Sequence, residues 1–381
     1  MEAEIQSLLQ WADTKGIILN GITPKKLHGR GMGLVATDDI KANQVILKVP
    51  TSTLRTIANT PTSITSSLPG ATVHAILAAS LCLDTTSDLL PWRGVFTSKQ
   101  DIHAALPICW PAELRALLPP SASSLLAKQS AKFNKDWAVV EAASFPESCH
   151  KISKEDFLYS WLLVNTRTFY HTTRQTEKKR PKEDHMVLQP VADLFNHSPD
   201  GCTVSFDDRF FTITTTQAHV AGDELFIRYG PHANDFLLVE YGFTLPPPLN
   251  PWDETSLDPY LCPALVAARQ RERLEDVGFW GKYMLDAETA CYRTHVALRS
   301  LCLTPMQWQA VLDGERDEDR DKARVDAELV RVLRRYEADI REKLVELEKM
   351  TAGDDLSREA LVDRWMQIKE LVSATIKRLE D

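Results

Sequence analysis

Three short polar and aromatic segments contain the side chains of this chain that are best suited to chemistry. They are residues 193–198 (Asp-Leu-Phe-Asn-His-Ser), 224–230 (Glu-Leu-Phe-Ile-Arg-Tyr-Gly) and 241–243 (Tyr-Gly-Phe). Asn196 and His197 carry donors and acceptors that can bind the edge of a base or a carboxylate. Tyr229 ends a strand-like run before a glycine, so its ring can project from a sheet edge into a cavity. Three such segments in this order indicate a divided active site.

Each of these residues also has a structural interpretation when taken alone. An isolated His197 is typical of a hydrogen-bonded core residue, and the aromatic residues of the other two segments are typical of core positions. Hydrolytic catalysis is not favoured, because the chain lacks a Gly-x-Ser-x-Gly elbow and has no cysteine in a protease-like context. A metal site is not favoured either, because the available ligands have irregular spacing. Those ligands are His185, His197, Cys202 and His219.

Residues 30–36, Arg-Gly-Met-Gly-Leu-Val-Ala, place two glycines immediately before a predicted strand. Glycine has no Cβ, so the backbone at these positions can approach a ligand closely or take a positive φ. An ordinary turn explains the same pattern. The segment is not the nucleotide-binding fingerprint, which follows a strand and opens a helix, and no phosphate loop ending in Gly-Lys-Ser/Thr occurs in the chain.

Short β-like runs separated by turn residues predict strands in two parts of the chain. The predicted strands are residues 17–19, 33–36, 45–49, 202–206, 210–216 and 224–229. Between the two parts, Ala- and Leu-rich segments with helical spacing predict a helical insertion. Three prolines at 246–248 mark a linker, and helical spacing from residue 260 to the end predicts several long helices.

The predicted architecture is therefore α+β and has four parts. Residues 1–53 contain an N-terminal helix and the first strands, and residues 54–165 form the helical insertion. Residues 166–245 contain the remaining strands with the active site. Residues 260–381 form a separate all-α C-terminal domain.

Composition and charge restrict the classes of function. The 381 residues have a formal net charge of −9 and a pI near 5.6, which argues against broad nucleic-acid binding and is compatible with a basic protein as partner. Seven cysteines occur without a Cys-x-x-Cys pair, so neither a zinc cluster nor a disulfide framework is indicated. No apolar run approaches the roughly 18 residues of a membrane span. We expect a monomer that acts in the cytoplasm or the nucleus, without a membrane partner.

The segments in this order resemble the SET-domain protein methyltransferases. The resemblance includes residues 165–169 (Asn-Thr-Arg-Thr-Phe) and is strongest to the subgroup typified by the Rubisco large-subunit lysine methyltransferase, over about residues 20–245. That subgroup has a split SET domain, a helical insertion and a helical C-terminal domain that docks protein substrates. The resemblance implies a fold of small strands with a pseudoknot, in which the Asn-His segment and the segment through Tyr241 thread past each other. Such threading is an exception, because protein chains normally do not thread through one another's loops.

The resemblance also implies a cofactor and a set of site residues. S-adenosylmethionine is the implied methyl donor, S-adenosylhomocysteine is the product, and no metal is expected. Tyr229 corresponds to the catalytic tyrosine of the family. The implied cofactor-binding residues are Arg30, Gly31, Met32, Arg167, Asp193, Asn196, His197, Tyr241 and Phe243. Among them, Asn196 and His197 contact the amino-acid and adenine regions of the cofactor, whereas Tyr241 and Phe243 form walls of the pocket.

The implied activity is protein-lysine N-methylation of a non-histone protein, such as a ribosomal protein or a translation factor. A histidine acceptor, which occurs in the same subgroup, and a catalytically silent SET-fold binding module stay open as alternatives. Two departures from the family pattern matter. No cysteine cluster follows residues 241–243, so the zinc-binding post-SET module of many histone-directed relatives is missing. Arg30 stands at a position that is often acidic in the plant enzyme.

Overall fold

The computed structural model describes residues 2–84, 86–146, 151–172, 177–178, 181 and 184–381, which form short strands and many helices. The strands are β1 (Ile18–Leu19), β2 (Ile22–Leu27), β3 (Gly31–Ala36), β4 (Val45–Pro50), β5 (Thr168–Tyr170), β6 (Met186–Leu188), β7 (Asn196–Phe206), β8 (Phe210–Thr214), β9 (Glu224–Ile227), β10 (Glu254–Ser256) and β11 (Met284–Asp286). The helices are α1 (Glu2–Thr14), α2 (Thr62–Thr65), α3 (Val73–Leu83), α4 (Leu90–Arg93), α5 (Lys99–Ala105), α6 (Ala112–Arg115), α7 (Pro120–Glu141), α8 (Lys154–Arg167), α9 (Asn234–Tyr241), α10 (Asp258–Ala267), α11 (Arg271–Asp276), α12 (Tyr292–Cys302), α13 (Pro305–Leu312), α14 (Lys322–Glu348) and α15 (Asp355–Glu380).

The chain divides into two units whose boundaries differ from those predicted. The first unit is Met1–His103 with Lys128–Pro231, and the second is Ala104–Ala127 with His232–Asp381. Part of the predicted helical insertion therefore belongs to the second unit. The reason is apolar packing, because Leu114 and Leu117 are buried in the core of that unit. In addition, Trp365 Nε1 donates to Leu117 O at 2.8 Å.

Seven strands of the first unit form one mixed sheet in the order β1-β4-β8-β7-β9-β3-β2. Neighbouring strands in it are antiparallel except β7 and β9, which are parallel. β9 shows the period of two expected of a strand, because Leu225 and Ile227 are buried whereas Glu224 and Phe226 are half-buried. Since β9 lies between β3 and β7, the sheet brings together the three stretches around residues 30–32, 196–197 and 224–229.

The structure corrects several predicted elements. β2 was not predicted, because Pro24 and two lysines hide its alternation, and it lies at the edge of the sheet where a proline is tolerated. The hairpin of β5 and β6 was also not predicted. Residues 191–195 contain the short 3-10 turn Ala192–Leu194, and β7 begins at Asn196 instead of residue 202. Asn196 and His197 therefore open a strand.

The helices of the first unit pack around buried aromatic residues. α3 packs against α8, and almost all of its residues are buried. His74 on α3 stacks on Trp161 of α8 with ring centroids 4.2 Å apart. Its Nε2 lies 2.8 Å from Trp161 O. Asp136 of α7 accepts a hydrogen bond from Trp161 Nε1 at 2.9 Å and one from Thr72 Oγ1 at 2.9 Å, so α7, α8 and the start of α3 share one polar anchor.

The second unit is mainly helical, with the long helices α14 and α15 packed on each other. Residues 260–381, predicted to be all-α, also contain β11, which pairs with β10. Arg364 on α15 is fully buried and is 2.7 Å from Asp235 Oδ1 and 2.8 Å from Asp253 Oδ2. This cluster ties α15 to the start of α9 and to the chain before β10.

Within the described residues, no single helix has the length and apolar character needed to cross a membrane. One bent pair of helices, Val73–Leu83 with Ser87–Arg93, meets the length and composition test.

Candidate active site

The chain after Asn196 crosses the end of β9. Asn196 pairs in parallel with Phe226, and Cys202 returns to a position opposite Ile227. This crossing requires glycine at position 201, because a Cβ on Gly201 would lie 2.5 Å from the carbonyl carbon of Ile227, closer than real Cβ atoms come. The predicted pseudoknot requires this segment and the segment through Tyr241, which lies in the second unit, to thread past each other, and it stays a prediction.

Asn196 is the centre of a polar cluster that joins three strands. Its Nδ2 donates to Met32 O at 3.2 Å and to Glu224 Oε1 at 2.7 Å. The other carboxylate oxygen of Glu224, Oε2, lies 2.8 Å from Arg30 Nη1. Because both hydrogens of Nδ2 are directed to acceptors, the amide of Asn196 presents its Oδ1 to other groups. Among the described residues, none donates to that oxygen.

Gly33 of β3 makes room for this cluster, and Gly31 of the same strand has a left-handed backbone. A Cβ on Gly33 would lie 3.0 Å from Glu224 Oε1, 3.1 Å from Asn196 Nδ2 and 2.4 Å from Leu27 Cδ1. Gly31 has a φ of +74°, in the left-handed region that favours glycine. The positive φ at Gly31 matches one of the two uses of glycine expected from the sequence, whereas the close approach of the backbone to a ligand stays a prediction.

His197 and Tyr229 form a stacked pair beside the same crossing. Their ring centroids are 5.1 Å apart with an interplanar angle of 28°. The backbone N–H of Tyr229 donates to His197 Nδ1 at 3.1 Å. The same Nδ1 also lies 3.4 Å from Ile227 O, so the imidazole contacts the backbone at two positions beside the crossing. The buried imidazole thereby fixes both the backbone and the ring of Tyr229.

The hydroxyl of Tyr229 has a defined direction. Its Oη donates to Phe195 O at 2.7 Å, and Phe195 is the residue immediately before Asn196. With its hydrogen directed to this carbonyl, the phenol oxygen presents lone pairs to a donor such as an ammonium group. The half-buried ring thus offers an oriented acceptor at the end of β9.

Arg167 and Asp193 form an ion pair next to the start of β7. Arg167 Nη1 lies 3.2 Å from Asp193 Oδ2 and donates to Asp193 O at 3.1 Å, and its Nη2 donates to Thr97 Oγ1 at 2.9 Å. Trp92 Nε1 donates to both carboxylate oxygens at 3.1 and 3.2 Å. Burial raises the pKa of Asp193 above its usual value, and the Arg167 charge and the indole N–H oppose that rise. The pair fixes the turn three residues before Asn196.

Tyr241 and Phe243 belong to the second unit. Tyr241 ends α9, and its ring centroid is 6.3 Å from that of Phe243 and 6.4 Å from that of Phe236. Burial raises the pKa of the Tyr241 hydroxyl to about 12, and the charge of Glu240 adds to that rise. The two aromatic residues therefore lie together, and their assignment to the cofactor pocket stays a prediction.

The first unit brings together eight of the ten residues singled out in the sequence. They are Arg30, Gly31, Met32, Arg167, Asp193, Asn196, His197 and Tyr229. Sequence reasoning missed Glu224 and Trp92, which contact this group, and Gly201, which lets the chain pass beside Ile227. Glu224 had a detectable signal, because it is a carboxylate at the half-buried position of a strand. The contacts of Gly201 and Trp92 depend on the tertiary structure and leave no local signal.

A metal site finds no support in the part of the chain that the structure describes. That part contains no group of three or more His, Cys, Asp or Glu side chains placed to hold a metal ion. The six described cysteines are free thiols. Burial raises the pKa of the Cys202 thiol to about 11, so it stays protonated near neutral pH.

Two family models match the chain. The model described as SET domain matches residues 31–230, and the model described as Ribosomal lysine N-methyltransferase 2 C-terminal domain matches residues 255–378.

Curated relatives resemble the chain over most of its length. Ribosomal lysine N-methyltransferase set11 of Schizosaccharomyces pombe is 28% identical over 345 residues, which are 86% of each chain. SET domain-containing protein 4 of Mus musculus is 29% identical over 340 residues, or 82% of this chain and 76% of that protein. Ribosomal lysine N-methyltransferase 2 of Saccharomyces cerevisiae is 21% identical over 289 residues, or 65% of this chain and 59% of that protein.

Solved structures share the fold. The crystal structure of the SET domain of LSMT bound to lysine and AdoHcy has a TM-score of 0.68 and 18% identity, and the match covers 100% of this chain and 91% of that chain. The structure of Rubisco LSMT bound to AdoMet has a TM-score of 0.67 and 18% identity, with 99% and 91% covered. At this identity the likeness shows the fold alone.

Proposed function

The chain belongs to the SET-domain family, since the family model matches residues 31–230, and on that premise we propose that it is an S-adenosylmethionine-dependent protein-lysine N-methyltransferase that acts on a ribosomal protein. The observation that carries the proposal is the placement of Tyr229. Its ring is stacked on His197 and its hydroxyl is directed by Phe195 O. The same crossing contains Asn196, whose amide oxygen faces away from its own partners.

The residues of the first unit fit S-adenosylmethionine in their donor and acceptor chemistry. The amino-acid end of that molecule carries an ammonium group, and the Asn196 amide presents an acceptor fixed by two hydrogen bonds of Nδ2. Gly31 has no side chain, and nothing lies within 4 Å of the position that a Cβ there would take, which leaves room for a ligand to approach the β3 backbone. We assign the ammonium end of the cofactor to Asn196 and the adjoining backbone of residues 30–32.

Tyr229 contributes orientation and electrostatics to the reaction. When bound, the cofactor supplies a sulfonium methyl group that a neutral amine accepts as the carbon–sulfur bond breaks. A lysine must first lose a proton, which costs about 4–5 kcal/mol at pH 7 from an unperturbed pKa near 10.4. Oriented oxygen acceptors at Tyr229 Oη and at Phe195 O can hold the amine in line, and holding the reacting atoms in line is a large source of rate enhancement. Desolvation of the amine lowers its pKa and aids proton loss.

The distribution of charge supports a basic protein as substrate. The second unit contains 31 acidic and 22 basic side chains, whereas the first contains 22 of each, so the formal net charge of −9 belongs entirely to the second unit. A field of one sign attracts partners of the opposite sign and speeds their association. Two relatives are named as ribosomal lysine methyltransferases, and ribosomal proteins are commonly basic because they bind RNA.

The second unit is the proposed docking part for that substrate. Its acidic charge and the match of residues 255–378 to the C-terminal domain of a ribosomal lysine methyltransferase support this assignment. We propose that the enzyme acts as a monomer, and that it works in the cytoplasm or the nucleus, where ribosomal proteins are made and assembled.

Methyl transfer to ribosomal proteins tests the proposal directly. The purified protein is incubated with labelled S-adenosylmethionine and a ribosomal-protein fraction from cells that lack this protein. Mass spectrometry then locates the label. We expect methyllysine on a basic protein, and a rate that falls as the salt concentration rises, because salt screens the attraction of the second unit.

Three results would contradict parts of the proposal. Label found as methylhistidine would replace the lysine acceptor by a histidine acceptor. Label on a protein outside the ribosome would overturn the substrate class. If titration calorimetry detected no binding of S-adenosylmethionine, the proposed enzymatic activity would be overturned. The catalytically silent binding module would then be the remaining function.

A further inference from the structure

Glu224 occupies a central position among the predicted cofactor residues, although no role has been assigned to it so far. It lies on β9, and only 9% of its side chain is exposed. One carboxylate oxygen accepts from Asn196 and the other pairs with Arg30. Residues of three strands that lie far apart in the sequence thus converge on one carboxylate.

We propose that Glu224 is a positioning residue that fixes the orientation of the Asn196 amide. This inference rests on the proposed function, because the amide is assigned to the ammonium end of S-adenosylmethionine. An amide group can turn over at little steric cost, since its oxygen and nitrogen have similar size. The orientation is therefore decided by the partners, and both partners of Asn196 on this side, Glu224 Oε1 and Met32 O, are acceptors.

A carboxylate is better suited to this task than an amide. An ionised Glu224 is an acceptor only, so it can pair with the Nδ2 of Asn196 but never with Oδ1. Hydrogen bonds to a charged group are also stronger than neutral ones. With Nδ2 held inward, Oδ1 is presented outward, where an ammonium group needs an acceptor.

Arg30 keeps the Glu224 carboxylate in place. Its side chain is 59% exposed, whereas that of Glu224 is 9% exposed. Since solvent screens an exposed guanidinium, its contribution to stability is small. Its position nevertheless gives Oε2 a partner and leaves Oε1 directed to Asn196.

The hydrogen bond between Glu224 and Asn196 needs a glycine at position 33 beside it. A side chain at that position would lie within 3.1 Å of both Glu224 Oε1 and Asn196 Nδ2. The hydrogen bond between these two atoms therefore passes directly beside a backbone that has no Cβ. This closeness excludes water from one side of the bond and strengthens it.

The test compares two ligands that differ only at the amino-acid end. S-adenosylhomocysteine carries the ammonium group, whereas 5′-deoxy-5′-methylthioadenosine lacks the amino-acid part. Dissociation constants are measured for wild type, Glu224→Gln and Asp223→Asn. Asp223 is the matched control, because it is the neighbouring carboxylate but bonds Val220 N in the turn before β9.

We expect Glu224→Gln to weaken S-adenosylhomocysteine binding about fivefold to tenfold, the net worth of one ordinary hydrogen bond, and to change methylthioadenosine binding less than about twofold. In the Asn196→Ala background, Glu224→Gln should add nothing further, because both changes act on the same amide. The KM for S-adenosylmethionine should rise in Glu224→Gln, with kcat at saturation nearly unchanged. Asp223→Asn should match wild type for both ligands.

Two results would overturn the inference. Equal weakening of both ligands would show a general effect on the sheet, and additive effects of the changes at 224 and 196 would show that Glu224 acts independently of Asn196. Wild-type protein that binds neither ligand would instead contradict the proposed function itself. The two failures are therefore distinguishable within one set of titrations.

Discussion

Each unit of the molecule contains an arginine paired with a buried aspartate, and the two clusters have different surroundings. In the first unit Arg167 pairs with Asp193, which also accepts from a tryptophan indole. In the second unit Arg364 is shared by Asp235 and Asp253 and is completely buried. Both clusters have strong local electrostatics, so electrostatics alone does not identify a functional site.

The elements that each cluster connects account for the difference. The first cluster joins the end of α8 to the turn that precedes Asn196, so it positions a strand that carries candidate site residues. The second joins α15 to α9 and β10, and Arg364 Nη2 also donates to Glu254 O at 3.1 Å. Burial raises the pKa of Asp235, the charge and hydrogen bond of Arg364 oppose that rise, and the charge of Asp253 adds to it. We interpret the second cluster as a structural anchor of its unit.

The largest effect on stability is expected from Arg364→Met. Removing the guanidinium leaves Asp235 and Asp253 buried without their counter-charge, which typically lowers the free energy of unfolding by about 3–5 kcal/mol. Urea denaturation measures it. Arg334→Met is the control, because Arg334 pairs with Glu380 on the surface of the same unit, where loss of a pair is worth about 0–1 kcal/mol. Equal stability losses in the two variants would mean that the buried cluster is not an anchor.

Tyr229→Phe should lower kcat about a hundredfold, because it removes the oriented hydroxyl of the first unit. Its free energy of unfolding should fall by only about 1 kcal/mol, the worth of the hydrogen bond to Phe195 O. Tyr283→Phe in the second unit is the matched control, since its hydroxyl also donates to a backbone carbonyl, that of Phe279. A control variant with a comparable loss of kcat would remove the distinction between the two tyrosines.

Arg167→Lys should weaken S-adenosylhomocysteine binding about tenfold, because lysine cannot donate to both Asp193 and Thr97 in the planar geometry of a guanidinium. Arg55→Lys is the control within the same unit. Arg55 pairs with Asp84 at 2.7 Å, outside the group of candidate site residues. Calorimetry measures affinity, and thermal denaturation measures stability. Unchanged affinity in Arg167→Lys would make its cluster a structural anchor like that of Arg364.

The sequence allowed prediction of candidate site residues that the sheet brings together, but not of the residues that hold the surrounding elements in place. Asn196, His197 and Tyr229 were predicted because polar and aromatic residues beside predicted strands are unusual, and their order matches one family. Their adjacency follows from the sheet, in which β9 lies between β3 and β7. The overall SET fold with a helical C-terminal part, predicted from the resemblance, is confirmed by the match to the solved structures.

The missing parts depend on partners that are distant along the chain. Trp92 meets Asp193 across 101 residues, and Arg364 meets Asp235 across 129. Contacts between residues so far apart produce no periodic pattern in the sequence. Residues 104–127 were assigned to the insertion because they have helical spacing and lie within residues 54–165. Helical spacing does not reveal, however, into which hydrophobic core a helix packs. Gly201 was missed for the same reason, since only the crossing strand makes its Cβ impossible.

The smallest expected effect is on the pH dependence of stability. His74 in the first unit and Asp235 in the second should contribute to that dependence with opposite sign. Burial lowers the pKa of His74 to about 3, with the charge of Lys132 adding to the shift. An unfolded histidine takes up a proton near pH 6.5, so between pH 6.5 and 3 the unfolded state binds more protons and the stability falls as the pH falls. Asp235 has a raised pKa instead, so its contribution becomes more favourable as the pH falls through that value.

His74→Gln should therefore flatten the acid dependence of stability. In wild type, the contribution of His74 lowers the free energy of unfolding by about 1 kcal/mol between pH 6.5 and 5.5, and the variant should lack this decrease. The substitution also removes the stacking of His74 on Trp161, but that loss is the same at both pH values and cancels in the difference. Denaturant titrations at the two pH values measure the slope. An identical slope in wild type and variant would mean that His74 is protonated in the folded protein, and that the first unit tolerates a charge beside Trp161.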